Sequence, residues 1–208
     1  MIRIGYLSEF IVTRALPDHE SYLVQLVAYG MPALLPKKYA IKQYTLGESG
    51  WAAIFNLDGS FTILSQRSPQ YMRKILEYLI DKELQETGLR IYRVAKTEHA
   101  RQFKIAVKGT GEAQDLYQKT LYLKSVIAGY IFGTVYYIKY KNNPVEYVKN
   151  ALLPAPSAEI RKVIHREEIN QMEVYVESTL AGIFFGKQGN NVASASKLTG
   201  YSIKIIAV

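Results

Sequence analysis

The chain has 208 residues, 49% of them hydrophobic, and carries 26 lysines and arginines against 18 aspartates and glutamates, a formal net charge of +8. That length allows two or three small domains, and that apolar content supports packed cores and excludes global disorder. The absence of cysteine excludes disulfides, thiolate metal sites and cysteine nucleophiles. Met1-Ile2-Arg3-Ile4-Gly5-Tyr6 lacks the basic-then-apolar pattern of a signal peptide. No apolar run reaches the roughly 18 residues of a membrane span, so a cytoplasmic protein with no membrane partner is expected.

The positive balance favours an anionic partner, and it is unevenly distributed. Residues 1–66 carry 5 basic and 5 acidic side chains, residues 67–143 carry 14 and 7, and residues 144–208 carry 7 and 6. The middle third therefore holds nearly all the excess. Lys104, within it, is expected to contribute to salt-dependent attraction of an anionic ligand.

Residues 1–66 read as short strands between turns. Phe10-Ile11-Val12, Tyr22 to Val27, Trp51 to Phe55 and Phe61 to Leu64 are β-rich runs, and Gly30-Met31-Pro32, Gly47 to Gly50 and Asp58-Gly59 punctuate them. Asp58-Gly59 predicts a tight hairpin. Short strands at this spacing suit a small barrel, with an OB-fold as the leading candidate. Tyr22, Trp51 and Phe61 could offer a stacking face, although a core position suits Trp51 better.

A helix is predicted next, capped by Ser68 with Pro69 in its first turn. Met72, Ile75, Leu76, Leu79 and Ile80 recur at helical spacing, and Gly88 ends the segment. Strands follow at Leu89 to Val94 and Phe103 to Val107. A broken helical stretch from Glu112 to Ile131 and a strand at Val135 to Ile138 complete this part. The order then recurs. Asn143-Pro144 repeats the cap and proline 75 residues later, and Val145, Val148, Ala151 and Leu152 form one stripe. Strands at Ile160 to Ile164 and Met172 to Val176, helices at Leu180 to Phe185 and Asn191 to Leu198, and a strand at Tyr201 to Ile206 follow. This is an internal duplication of a helix–strand–strand–helix–helix–strand unit behind a barrel.

Gly186-Lys187-Gln188-Gly189 sits between the last two helices. A Gly-x-x-Gly turn there lets a nucleic-acid backbone approach closely. The following helix, starting near Asn190-Asn191, offers free N–H groups to phosphate, and Lys187 adds charge. The stretch 117–147 holds Tyr117, Tyr122, Tyr130, Tyr136, Tyr137, Tyr140 and Tyr147. Exposed tyrosines can stack on bases, but alternation turns at most one of Tyr136 and Tyr137 towards a ligand. His19, His99 and His165 are isolated and lack metal spacing. Glu167-Glu168 falls in a turn, so no catalytic site, metal or cofactor is expected.

Residues 183–205, from Ile183-Phe184-Phe185-Gly186-Lys187-Gln188-Gly189 to Ile203-Lys204-Ile205, resemble the second KH unit of the NusA family of bacterial transcription factors. Leu64 to Lys74 resembles that family's entry into its first KH unit. Lys104-Ile105-Ala106-Val107 and Asn143 to Ala155 resemble later signatures, and Ala33-Leu34-Leu35-Pro36-Lys37 more loosely resembles a strand end of its RNA-binding barrel. The resemblance implies an α+β multi-domain chain. Residues 1–66 would be an OB-fold barrel, 67–142 a first type II KH unit with a degenerate loop, and 143–208 a second with its loop intact. It implies a non-enzymatic RNA-binding protein acting in transcription elongation, termination or antitermination. The partners would be single-stranded RNA and RNA polymerase or other transcription factors. RNA would meet Gly186, Lys187, Gln188, Gly189, Asn190 and Asn191, with Ile183, Phe184, Val192 and Ile203 as an apolar groove and Lys204 beside it. Two departures stand out: the sequence opens on the barrel, so the family's N-terminal polymerase-binding helical domain is expected to be lacking, and no Gly-x-x-Gly lies between Val107 and Gly133. A divergent relative serving as a protein-interaction module is the alternative.

Overall fold

The computed structural model describes residues 2–59, 61–97, 102–131 and 133–208. His99 lies outside them. The chain forms two compact units, residues 1–80 with 129–132, and residues 81–128 with 133–208.

The first unit is a closed barrel of five strands, β1 (Leu7–Leu16), β2 (Ser21–Leu26), β3 (Pro32–Pro36), β4 (Ser49–Asp58) and β5 (Phe61–Ser65), in the order β1-β2-β3-β5-β4. β3 and β5 run parallel, and the other pairs are antiparallel. This is the OB-like barrel expected. β3 is less plain in sequence because prolines bound it, and Pro32 falls in the predicted turn. Alternation sends Phe10, Val12, Val24, Leu26, Leu35, Ile54 and Leu64 inside. Tyr22 joins them, its hydroxyl accepting from the Tyr44 backbone N at 3.2 Å. Asp58 pairs with Phe61 across the predicted hairpin.

Helix α1 (Pro69–Leu79) belongs to this unit. Ser68 caps it, accepting from the Tyr71 N–H at 3.1 Å, and Met72, Ile75 and Leu76 form the buried stripe. The helical segment is not continuous to Gly88: it breaks at Ile80, and α2 (Asp81–Thr87) starts in the second unit. The apolar stripe runs through the break, which is why periodicity alone misses it.

The second unit contains both repeats' sheets. β6 (Leu89–Lys96), β7 (Gln102–Gly109) and β8 (Thr134–Lys139) form one, with α3 (Ala113–Thr120) and α4 (Lys124–Tyr130) between β7 and β8. α5 (Pro144–Ala151), β9 (Ile160–Arg166), β10 (Gln171–Val176), α6 (Ala181–Phe185), α7 (Asn190–Thr199) and β11 (Ser202–Ala207) form the other repeat. In each sheet the central strand is antiparallel to the strand before it and parallel to the strand after the helices. The duplication read from the sequence is therefore a duplication of topology.

The repeats share one core. Phe103 to Val107 of β7 are all buried, so both faces of that strand are covered. Ala95, Ala106 and Ile138 of the first sheet join Tyr147, Val148, Ala151, Leu152, Ala195 and Leu198 of the second repeat in a single apolar cluster. α5 starts where Asn143 accepts from the N–H groups of Val145 and Glu146 at 2.9 and 3.2 Å. Asn143→Ala orphans both donors and is expected to lower stability by about 1 kcal/mol in a urea titration; an unchanged midpoint would show that the cap is dispensable.

Candidate nucleic-acid interface

The loop between α6 and α7 is built by backbone geometry that few residues tolerate. Gly186 has φ 69° and ψ 173°, a region open almost only to glycine. Gln188 is left-handed at φ 54°, ψ 30°, and Gly189 follows at φ 73°, ψ 8°. Gly186 N–H closes α6 on the Gly182 carbonyl at 2.9 Å, and Gly189 N–H donates to the Gly186 carbonyl at 3.0 Å. No side chain caps α7, whose first turn starts at this loop. Lys187 and Gln188 are exposed beside it.

The two glycines serve different ends. A Cβ on Gly186 would lie 2.7 Å from the Asn191 Cβ and 3.1 Å from its backbone N, so this glycine allows α7 to pack against the loop. At Gly189 nothing lies within 4 Å of the Cβ position, leaving its face open to a ligand backbone.

The other expected site residues divide. Asn190 is half-buried at the loop's end, Ile183 is 51% exposed, and Val192 is half-buried against the apolar cluster. Phe184, Asn191 and Ile203 correct the expectation: they are 0%, 3% and 8% exposed, in the core or behind the loop, not on a surface. Lys204 alternates with Ile203 and Ile205, both of which join the core with the helices; its side chain is thus on the opposite sheet face, apart from the loop. Phe185 was missed. It lies off the buried Ala181–Phe184 spacing of α6 and is 42% exposed next to Gly186.

Asn191 is held by three hydrogen bonds. Its Nδ2 donates to the carbonyls of Leu152 at 2.9 Å and Phe184 at 3.0 Å. Its Oδ1 accepts from Lys104 Nζ of β7 at 2.6 Å. Lys104 also donates to the Ala151 carbonyl at the end of α5. Lys104 is 0% exposed, so it is no part of the solvated basic surface, contrary to the sequence expectation. Burial pushes its ammonium down to about 7. The two acceptors, one at the negative end of a helix, act in the opposite direction.

In the first repeat the corresponding connection is a plain 3-10 turn, Leu121–Leu123, between α3 and α4, with no left-handed residue. Tyr122 on that turn donates its hydroxyl to Glu83 of α2. Of the tyrosines singled out, Tyr137 and Tyr147 are buried and Tyr136 packs on the core cluster. Tyr140 is wedged between Tyr92 at 4.8 Å and Tyr147 at 5.0 Å, with Lys108 Nζ 4.8 Å above its ring. The barrel aromatics do not form one face: Tyr22 is interior, while Trp51 is half-buried and stacks on Tyr78 at 5.4 Å instead of entering the core. His19 is exposed and His165 meets the Tyr201 ring edge-on at 5.2 Å. Among the described residues no group of three His, Asp or Glu could hold a metal ion, and no helix is long and apolar enough to cross a membrane.

Gly186→Ala adds a steric conflict to backbone strain and is expected to cost more than about 2 kcal/mol, while Gly189→Ala costs only the strain, about 1 kcal/mol. Thermal denaturation of both variants measures this; equal losses would contradict the assignment of Gly186 to packing. Lys104 gives a second check. The unfolded chain titrates it near 10.5 and the folded chain near 7, so the unfolded state binds more protons between those values. Its contribution is constant below pH 7, and stability rises as pH increases from about 7 to about 10.5. Lys104→Met is expected to flatten that rise in urea midpoints.

A family model described as the NusA-like second KH domain matches residues 144–208. The transcription termination/antitermination protein NusA of Rickettsia prowazekii is 35% identical over 69 residues, which are 33% of this chain and 14% of that protein. The protein of the same name from Borreliella burgdorferi is 25% identical over 183 residues, 83% of this chain and 37% of that protein. A solved structure, that of APE1850, is 23% identical with a TM-score of 0.46, covering 63% of this chain and 96% of that one. The chain thus spans well under half the length of the curated relatives it matches. Residues 144–208 thus match the NusA-like second KH domain, and the chain is similar to NusA proteins over most of its length, with an OB-like barrel ahead of its α/β repeats.

Proposed function

We propose that this chain is a non-enzymatic RNA-binding protein that holds single-stranded RNA on a barrel and two KH repeats, divided at residues 1–66, 67–142 and 143–208. The observation that carries the reading is the loop Gly186–Gly189. It presents an open left-handed glycine, an exposed lysine and an uncapped helix start on the repeat that matches the NusA-like KH family. Phosphates would lie on Gly189 and the first turn of α7, with Lys187 and Asn190 beside them. Bases would rest against Ile183, Phe185 and Val192. The names of the relatives support a role in transcription termination or antitermination, with RNA polymerase or other transcription factors as further partners, in the cytoplasm.

The first repeat lacks an open loop, and its share is charge. Arg90, Arg93, Lys124 and Lys141 are exposed on it, while Lys119 pairs with Glu86 at 2.7 Å and Lys104 is internal. Gly189→Asp puts bulk and negative charge in the open face, where it meets no neighbouring atom and costs about 1 kcal/mol of backbone strain. It is expected to weaken binding of a random-sequence single-stranded RNA pool at least about tenfold, or ~1.4 kcal/mol. Binding of the wild type is expected to fall linearly in log affinity against log salt, with Lys187→Ala reducing the slope by about one. A folded Gly189→Asp variant that binds as the wild type does, with a flat salt response, would instead favour a protein-interaction module.

A further inference from the structure

We infer that Lys104, a residue of the first repeat, is a positioning residue for the Gly186–Gly189 loop of the second. The inference rests on the RNA-clamp reading above and deepens it.

The connection from Lys104 to the loop has two steps. Nζ of Lys104 meets Oδ1 of Asn191 at 2.6 Å. Nζ donates to this amide oxygen, so the Asn191 NH2 group turns the other way. There it meets two carbonyls, Leu152 at 2.9 Å and Phe184 at 3.0 Å. The first ties the loop to the end of α5. The second fixes the last turn of α6, two residues before Gly186. A Cβ on Gly186 would lie only 2.7 Å from that of Asn191, so the asparagine's position limits how close the loop lies to α7.

Both partners are closed to solvent, Lys104 at 0% and Asn191 at 3% exposed. Neither can touch RNA, so any effect on binding must pass through the loop. A buried ammonium is costly, and a strand residue here could have been apolar like its neighbours Phe103 and Ile105. What the lysine provides beyond packing is an oriented asparagine behind the clamp. The first repeat, whose own turn is closed, thereby helps to shape the loop of its neighbour.

The test uses the full chain and the same random-sequence RNA pool. Lys104→Met keeps length and apolar volume but cannot donate. With the fold intact by circular dichroism, it is expected to weaken RNA binding about tenfold. The salt slope should match the wild type, since no phosphate contact is lost. The amide resonances of Gly186 and Gly189 should move in the free protein. Lys104→Gln, which retains a donor for Asn191, should recover part of the affinity. A folded Lys104→Met variant that binds like the wild type, while Gly189→Asp weakens binding, would overturn the positioning role and leave the clamp reading standing. If Gly189→Asp also binds normally, the clamp reading itself falls, and the positioning role with it. Should Lys104→Met fail to fold, the wild type decides. Adding RNA is expected to shift the side-chain resonances of Lys104 Nζ and Asn191 Nδ2 together with the loop amides, and shifts confined to the loop would overturn the inference.

Discussion

An ammonium group taken out of water must find acceptors, and Lys104 finds them on the other repeat. Its partners are the Ala151 carbonyl at the end of α5 and Oδ1 of Asn191 at the start of α7. Removing either acceptor leaves a buried donor unpaired, which typically costs about 1–3 kcal/mol. The surrounding seam is apolar, with Ala95, Ala106 and Ile138 against Val148, Leu152 and Leu198. Apolar burial supplies most of the attraction between the repeats, but many registers could satisfy it. Both acceptors of the lysine lie on the second repeat. The two sheets of the second unit are consequently parts of one body and not beads on a string.

Asn191 ties the flank of the loop to this arrangement. Gly186, Gln188 and Gly189 all have positive φ, and a free tetrapeptide would not hold that conformation. Here α6 closes on Gly182, the Gly189 N–H closes on Gly186, and Asn191 anchors the segment from behind. A surface held in one shape loses less entropy on binding a flexible strand. The first repeat has the same strand order but a helical turn closed by Tyr122 and Glu83. The two repeats share their strand order, and the open loop lies in the second.

Much of this was legible in the residues. Ser68-Pro69 and Asn143-Pro144 announced helix starts because caps act locally, and the strand runs followed from alternation. The Gly-x-x-Gly loop was legible because its backbone conformation demands glycine. What stayed hidden depends on tertiary neighbours. Phe103-Lys104-Ile105 reads as a strand with one wet face, since sequence alone does not reveal that a second repeat covers it. Asn191 reads as a polar residue at a helix start, when it is a buried one. Phe184 and Phe185 differ only in which side of a five-residue helix they occupy, too short a segment for periodicity to decide. Trp51 sits outside the barrel because Tyr78, from a helix beyond the barrel segment, stacks on it.

The central claim is that the two repeats of the second unit form one cooperative body through the seam around Lys104. Native-state hydrogen exchange tests it most directly. Amides of β7 and of α7 should open with the same free energy, and should lose protection together across a denaturant series. Exchange of α7 through an opening several kcal/mol cheaper than that of β7 would contradict the account, since the loop would then be held by its own repeat alone.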